Sequence, residues 1–134
     1  MAAEYAIEMR GITKTFGSVV ANKDVNLTLR KGEILALLGE NGSGKTTLMN
    51  MLSGIYQPDS GEILVDGTPV SIRSPQEAKT LGIGMVHQHF KLVDVFTAAD
   101  NIWMGREKPG FALKRGRYDE IREMAQRFGF EIDP

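Results

Sequence analysis

The residues from Gly39 to Thr46 read Gly39-Glu40-Asn41-Gly42-Ser43-Gly44-Lys45-Thr46, a match to the phosphate-cradling pattern GxxxxGK[ST]. Each residue type has a physical reason to be there. Glycines let the backbone fold tightly, so that several N–H groups point into one concavity. A helix starting near Gly44 adds its positive end. Lys45 supplies a point charge able to reach the β- and γ-phosphates of a nucleotide, and the Thr46 hydroxyl is a ligand for Mg²⁺. A glycine-rich turn that merely joined two elements would need neither Lys45 nor Thr46.

Such a loop must be held between a strand and a helix, and the flanks fit. Ile34-Leu35-Ala36-Leu37-Leu38 is an unbroken apolar run, as expected of a parallel strand buried on both faces. After the loop, Leu48, Met49 and Leu52 give one apolar side to a helix, with Gly54 as its stop. Upstream, the alternations of residues 5–10 and 25–29 predict half-buried strands, with a strand end and turn over 11–18 between them and a turn over 30–33.

Downstream, Pro58-Asp59-Ser60-Gly61 reads as a turn, and 62–65 and 68–72 as a hairpin joined by Asp66-Gly67. Ser74-Pro75-Gln76-Glu77 is a capping-box pattern that opens a short helix ending at Gly82. Ile83–His87 is a second candidate parallel strand. Thr97-Ala98-Ala99-Asp100 opens another helix, 105–117 reads as a loop, and Ile121, Met124, Ala125 and Phe128 give helical spacing stopped by Gly129.

The 134 residues carry a net charge of −1 and are 42% hydrophobic, enough for a real core and unlike a basic nucleic-acid-binding surface. The absence of cysteine excludes disulfides and thiolate metal sites and fits a reducing compartment. No apolar run approaches the roughly 20 residues of a membrane span. Glu4 and Glu8 with no apolar stretch argue against a signal peptide.

Four features then converge. Phe16 precedes Gly17 upstream of the loop. The loop reads Gly-Glu-Asn-Gly-Ser-Gly-Lys-Thr-Thr. Leu52-Ser53-Gly54-Ile55-Tyr56-Gln57-Pro58-Asp59-Ser60-Gly61-Glu62-Ile63 follows. Met85-Val86-His87-Gln88 precedes Thr97-Ala98-Ala99-Asp100-Asn101-Ile102. In this order they resemble the ATP-binding subunits of ABC transporters, over nearly the whole chain, and His87–Ile102 looks most like those of simple-sugar and nucleoside importers, where two cassettes often lie in tandem.

The resemblance implies an α/β fold: a P-loop NTPase core with an antiparallel β layer and the start of a helical subdomain, incomplete in these residues. Residues 1–134 would be the N-terminal part of one cassette. In it, 1–33 and 62–73 form mainly the β layer, 34–61 and 74–94 the P-loop core, and 95–134 the start of the helical subdomain. The resemblance further implies that ATP and Mg²⁺ are bound. Gly39, Glu40, Asn41, Gly42, Ser43, Gly44, Lys45, Thr46 and Thr47 would form the Walker A loop, Phe16 would stack on adenine, and Ala21 would touch the base from the other side. Lys45 and Gln88 would serve catalysis, and Thr46 and Gln88 the metal. A neutral amide such as that of Gln88 can ligate Mg²⁺ or orient the attacking water. The implied partners are transmembrane permease subunits and a second cassette, at the cytoplasmic face of the cell membrane.

The departures are specific. A Leu-Ser-Gly-Gly-type signature, an apolar strand ending in Asp-Glu and a switch histidine are not found; Leu52-Ser53-Gly54 comes too early and Ile55 breaks it. In the family these motifs lie after the equivalent of residue 134, so hydrolysis is expected of the longer protein and not of these residues alone. Two other readings stay open: a nucleotide-binding regulator without turnover, and another P-loop enzyme such as a small-molecule kinase, which would lack the Phe16 and Gln88 context. Asn22-Lys23 is similar to a guanine-reading motif, but Val25 stands where that motif needs Asp, and it precedes the P-loop. His87 and His89 have no third metal ligand in view, and Lys114-Arg115-Gly116-Arg117 reads as a solvated loop.

Overall fold

The computed structural model describes residues 4–87, 92–104 and 116–132. The chain divides into two compact units, Met1–Val86 and His87–Pro134. In the first, a four-stranded antiparallel sheet has the order β2-β1-β3-β4, built from β1 (Tyr5–Phe16), β2 (Val19–Arg30), β3 (Ser60–Val65) and β4 (Thr68–Val70). β1 is central: Met9 faces Leu27 of β2 on one side and Ile63 of β3 on the other.

β1 runs on through most of the 11–18 stretch expected to hold the strand end and turn, and it carries a bulge around Gly11, where the register with β2 shifts. Side chains take up the displaced backbone groups there. The Gly11 N–H donates to Asn26 Oδ1 at 2.9 Å and the Asp24 N–H to Thr13 Oγ1 at 3.0 Å. These two bonds pair N–H groups at the bulge that the ladder does not take up. The β3–β4 connection is as short as the sequence predicts. Asp66 (φ 50) and Gly67 (φ 75) both take positive φ, the pair of conformations that a two-residue hairpin turn demands.

Helix α1 (Lys45–Leu52) lays Leu48 and Met51, one turn apart, into a core with Met9, Ile12, Ile63, Ile72 and Ala78. Met49 and Leu52 pack at its margin. Helix α2 (Pro75–Thr80) starts as its cap predicts: Ser74 Oγ accepts from the Glu77 N–H at 3.2 Å. The Glu77 carboxylate reaches one residue further than a standard capping box and accepts from the Arg73 N–H at 2.7 Å.

The two expected parallel strands are not formed. Residues 33–40 and 83–87 join no ladder, and Ile34, Leu38 and Val86 are 98%, 88% and 91% exposed. A parallel strand takes its pairing from neighbours brought alongside by crossovers. Among the described residues no strand pairs with either run; Ile34, Leu38 and Val86 stay in solvent, while Ile83 packs against the core of the first unit.

In the second unit, helix α3 (Ala98–Trp103) has a complete capping box between Thr97 and Asp100. Asn101 Oδ1 accepts from the Val93 N–H at 2.9 Å and its Nδ2 donates to the Val93 carbonyl at 3.2 Å, which fixes the turn ahead of the helix. Helix α4 (Gly116–Arg127) buries Ile121 and Ala125 and leaves Phe128 exposed, although the spacing had grouped it with them. Met51 is wholly buried in the first unit, so Met51→Ala is expected to lower its unfolding free energy by about 2–5 kcal/mol. Urea denaturation checks this, and a loss below about 1 kcal/mol would mean that the site collapses around the smaller side chain.

Candidate functional site

The loop between residue 39 and helix α1 closes on its own lysine. Lys45 Nζ donates to the Gly39 carbonyl at 2.7 Å, the Glu40 carbonyl at 2.6 Å and Ser43 Oγ at 3.2 Å. These bonds match the three donors of an ammonium, so the charge is held inside the loop with its hydrogen bonds satisfied. The Ser43 N–H donates to the Glu40 carbonyl at 3.2 Å and tightens the turn.

No side chain caps the N-terminus of α1, and no acidic residue occupies its first turn. Its leading N–H groups and positive dipole end are therefore left to an anion. Thr46 is exposed, with its hydroxyl available, and Thr47 is half-buried. Glu40, Asn41, Gly42 and Ser43 form the exposed rim of the loop.

Gly44 has φ 85, the left-handed region that a side chain disfavours, and it lies hard against β2. A Cβ on it would stand 2.3 Å from the Ala21 carbonyl oxygen and 2.8 Å from Asn22 Nδ2. No residue other than glycine fits. Ala21 is thus brought to the loop through its backbone, and Asn22 joins it, with Nδ2 donating to the Gly44 carbonyl at 3.3 Å.

Phe16 closes β1 with 42% of its surface exposed. Its ring meets Tyr56 edge to face, centroids 5.1 Å apart at 70°, and Lys14 Nζ sits 5.5 Å from its centroid. Asp59 staples this group. It accepts from Lys14 Nζ, the Thr15 N–H and Thr15 Oγ1, each at 2.7 Å, while its own N–H donates to the Thr13 carbonyl at 2.8 Å. The Lys14 bond first, then those from Thr15, lower the Asp59 pKa from 3.8 to about 2.

Of the residues that the sequence marks, the structure gathers Gly39–Thr47 and Ala21 around one loop. It sets Phe16 in an aromatic group of its own. Gln88 and His89 lie outside the described residues, as do Lys114 and Arg115; His87 is half-buried. Among the described residues no group of three or more His, Cys, Asp or Glu is placed to hold a metal. Sequence reasoning weighed Asn22 only as part of a guanine-reading motif and passed over Tyr56 and the long-range role of Asp59. An asparagine in a β-strand carries no spacing signal, and Asp59 reads as an ordinary turn residue.

A family model described as ABC transporter matches residues 22–133. The chain belongs to the ABC transporter family. A guanosine import ATP-binding protein of Bacillus subtilis is 54% identical over 98% of this chain, and a ribose import ATP-binding protein of Rubrobacter xylanophilus is 51% identical over 96% of it. The chain spans about a quarter of those relatives, 26% of each. The dimeric structure of a bacterial ABC transporter cassette superposes with a TM-score of 0.74 at 27% identity, covering 93% of this chain and 58% of that one. The fold is accordingly the α/β P-loop core of an ABC cassette with its antiparallel β layer, present in part.

The Asp59 staple has a defined pH range in this cassette. A carboxylate with a lowered pKa stabilises the folded state fully above its unfolded value and loses that contribution as pH falls through the folded one. The Phe16–Tyr56 contact should therefore persist from neutrality to pH about 4 and open as pH falls through about 2. Asp59→Asn should loosen it at pH 7. Aromatic NMR shifts of Tyr56 read both effects, and an Asp59→Asn spectrum identical to wild type would show that the staple does not hold the ring.

Proposed function

We propose that the loop 39–47 binds the phosphates of ATP, and that the longer protein hydrolyses ATP to drive import of a small solute, a nucleoside or a simple sugar. The observation that carries this is the Lys45 ammonium, held by two loop carbonyls and Ser43 Oγ beside an uncapped helix start. A phosphate oxygen entering the loop replaces neutral acceptors with a charged one, and a charge-assisted bond is the stronger of the two. Supporting the solute class are the guanosine and ribose import relatives.

In this reading Lys45 faces the β- and γ-phosphates, the rim residues Gly39–Ser43 supply backbone donors, and Gly44, Thr46 and Thr47 form the helix end beneath them. Thr46 and Gln88 would hold Mg²⁺, which would offset the charge of the phosphates. Phe16 offers its exposed face to the base, with Ala21 on the base's other side. Gln88 orients the attacking water. Residues 1–33 and 62–73 serve as the β layer, 34–61 and 74–94 as the core, and 95–134 as the start of the helical subdomain. Transmembrane permease subunits and a second cassette complete the machine at the cytoplasmic face of the membrane. Among the described residues no helix is long and apolar enough to cross a membrane.

Isothermal calorimetry tests the reading. Lys45→Ala should weaken ATP binding by about ten- to a hundredfold, the loss expected when a charged hydrogen-bond partner is removed. Phe16→Ala should weaken ATP and GTP together, because a stacking face is tolerant of base identity. Equal ATP affinities for wild type and Lys45→Ala would overturn the phosphate assignment, and a strong preference for one base would overturn the stacking one.

A further inference from the structure

Asn22 is 7% exposed on β2, and its two amide atoms have different fates. Nδ2 donates to the Gly44 carbonyl, whereas Oδ1 is buried with no hydrogen-bond partner. A buried acceptor left unpaired weakens the folded state, so an apolar side chain of the same size would be the better choice for stability alone. The donor half explains what this position does. The Gly44 carbonyl accepts twice, from Asn22 Nδ2 at 3.3 Å and from the Leu48 N–H at 2.9 Å, which is the first bond of α1.

A peptide group is planar and trans, so the carbonyl of Gly44 and the N–H of Lys45 point in opposite directions within one rigid unit. Pinning that carbonyl from outside the helix fixes the direction in which the Lys45 N–H points, toward the loop. The same contact holds Gly44 in its left-handed conformation against Ala21. We propose that Asn22 is a positioning residue for anion binding: acting through the Gly44 carbonyl, it aims the first N–H of α1 into the 39–47 loop. This rests on the reading of that loop as the phosphate cradle. It also gives a role to a residue whose resemblance to a guanine-reading motif comes to nothing, since Asn22 faces backbone and not a base.

The test separates aim from stability. Asn22→Leu keeps the branched shape at a somewhat larger volume and removes both the donor and the orphan acceptor; Asn22→Ala does so without any risk of overpacking. Both variants are compared with wild type by thermal melting, by ¹⁵N–¹H NMR of the nucleotide-free chain, and by ATP titration. The expected result is a melting temperature for Asn22→Leu that is unchanged or raised, displaced Lys45 and Thr46 amide signals in both variants, and ATP affinity weakened about tenfold. Amide signals at their wild-type positions, or affinities within about twofold of wild type where ATP binds, would overturn the proposal. Displaced amides in a chain whose wild type binds no ATP would uphold the positioning role and overturn the phosphate reading instead.

Discussion

A backbone carbonyl of β2 stands so close to the α-carbon of Gly44 that no side chain can be placed there. The antiparallel layer and the start of α1 meet at this contact, and it cannot be relaxed without moving one or the other. On the sheet side it fixes Ala21 and Asn22; on the helix side it sets where Lys45 begins and hence where its ammonium falls. The burial of Leu48 and Met51 against Met9 and Ile12 then secures the helix from the opposite end. The apolar core supplies the driving force, which is proportional to area and indifferent to direction. The glycine contact supplies the direction.

Lys45 shows how such a loop stays ordered before any anion arrives. A free ammonium next to a helix N-terminus would face a positive dipole end with nothing to offset it. Here two carbonyls and a hydroxyl surround it, so the loop is its own provisional ligand. A binding partner has to compete with those bonds, and a neutral one gains little by doing so. In the proposed phosphate-binding role, a selectivity for charge would arise from this geometry.

What was legible in the sequence was the chemistry that acts over a few residues. Asp66-Gly67, the Ser74 cap and the Thr97–Asp100 box stand where their types predict, because each satisfies the backbone within its own turn. The glycines and Lys45 of the loop were legible for the same reason. Burial was not legible for 34–38, because an apolar run records what a strand wants beside it and not what is there. The bulge in β1 is bonded by Asn26, 15 residues from Gly11. The Asp59 staple spans 44 residues to Thr15. Asn22 was the hardest of all, a polar side chain whose partner is a carbonyl 22 residues away.

The turn between β1 and β2 has a consequence for how freely this chain can vary. Across it, Phe16 faces Val19, and Lys14 faces Asn22. The lysine beside the aromatic ring and the asparagine beside the loop are thus rungs of one ladder. Side chains along a strand alternate between its faces, so a slip of a single residue would turn Asn22 away from Gly44 while Lys14 stayed where Asp59 holds it. The Gly17-Ser18 hairpin and the one-residue register shift between the Thr15–Val20 and Lys14–Asn22 rungs therefore act as one gauge block: together they calibrate the aromatic group against the loop. Inserting or deleting one residue there would put the two out of calibration without touching either.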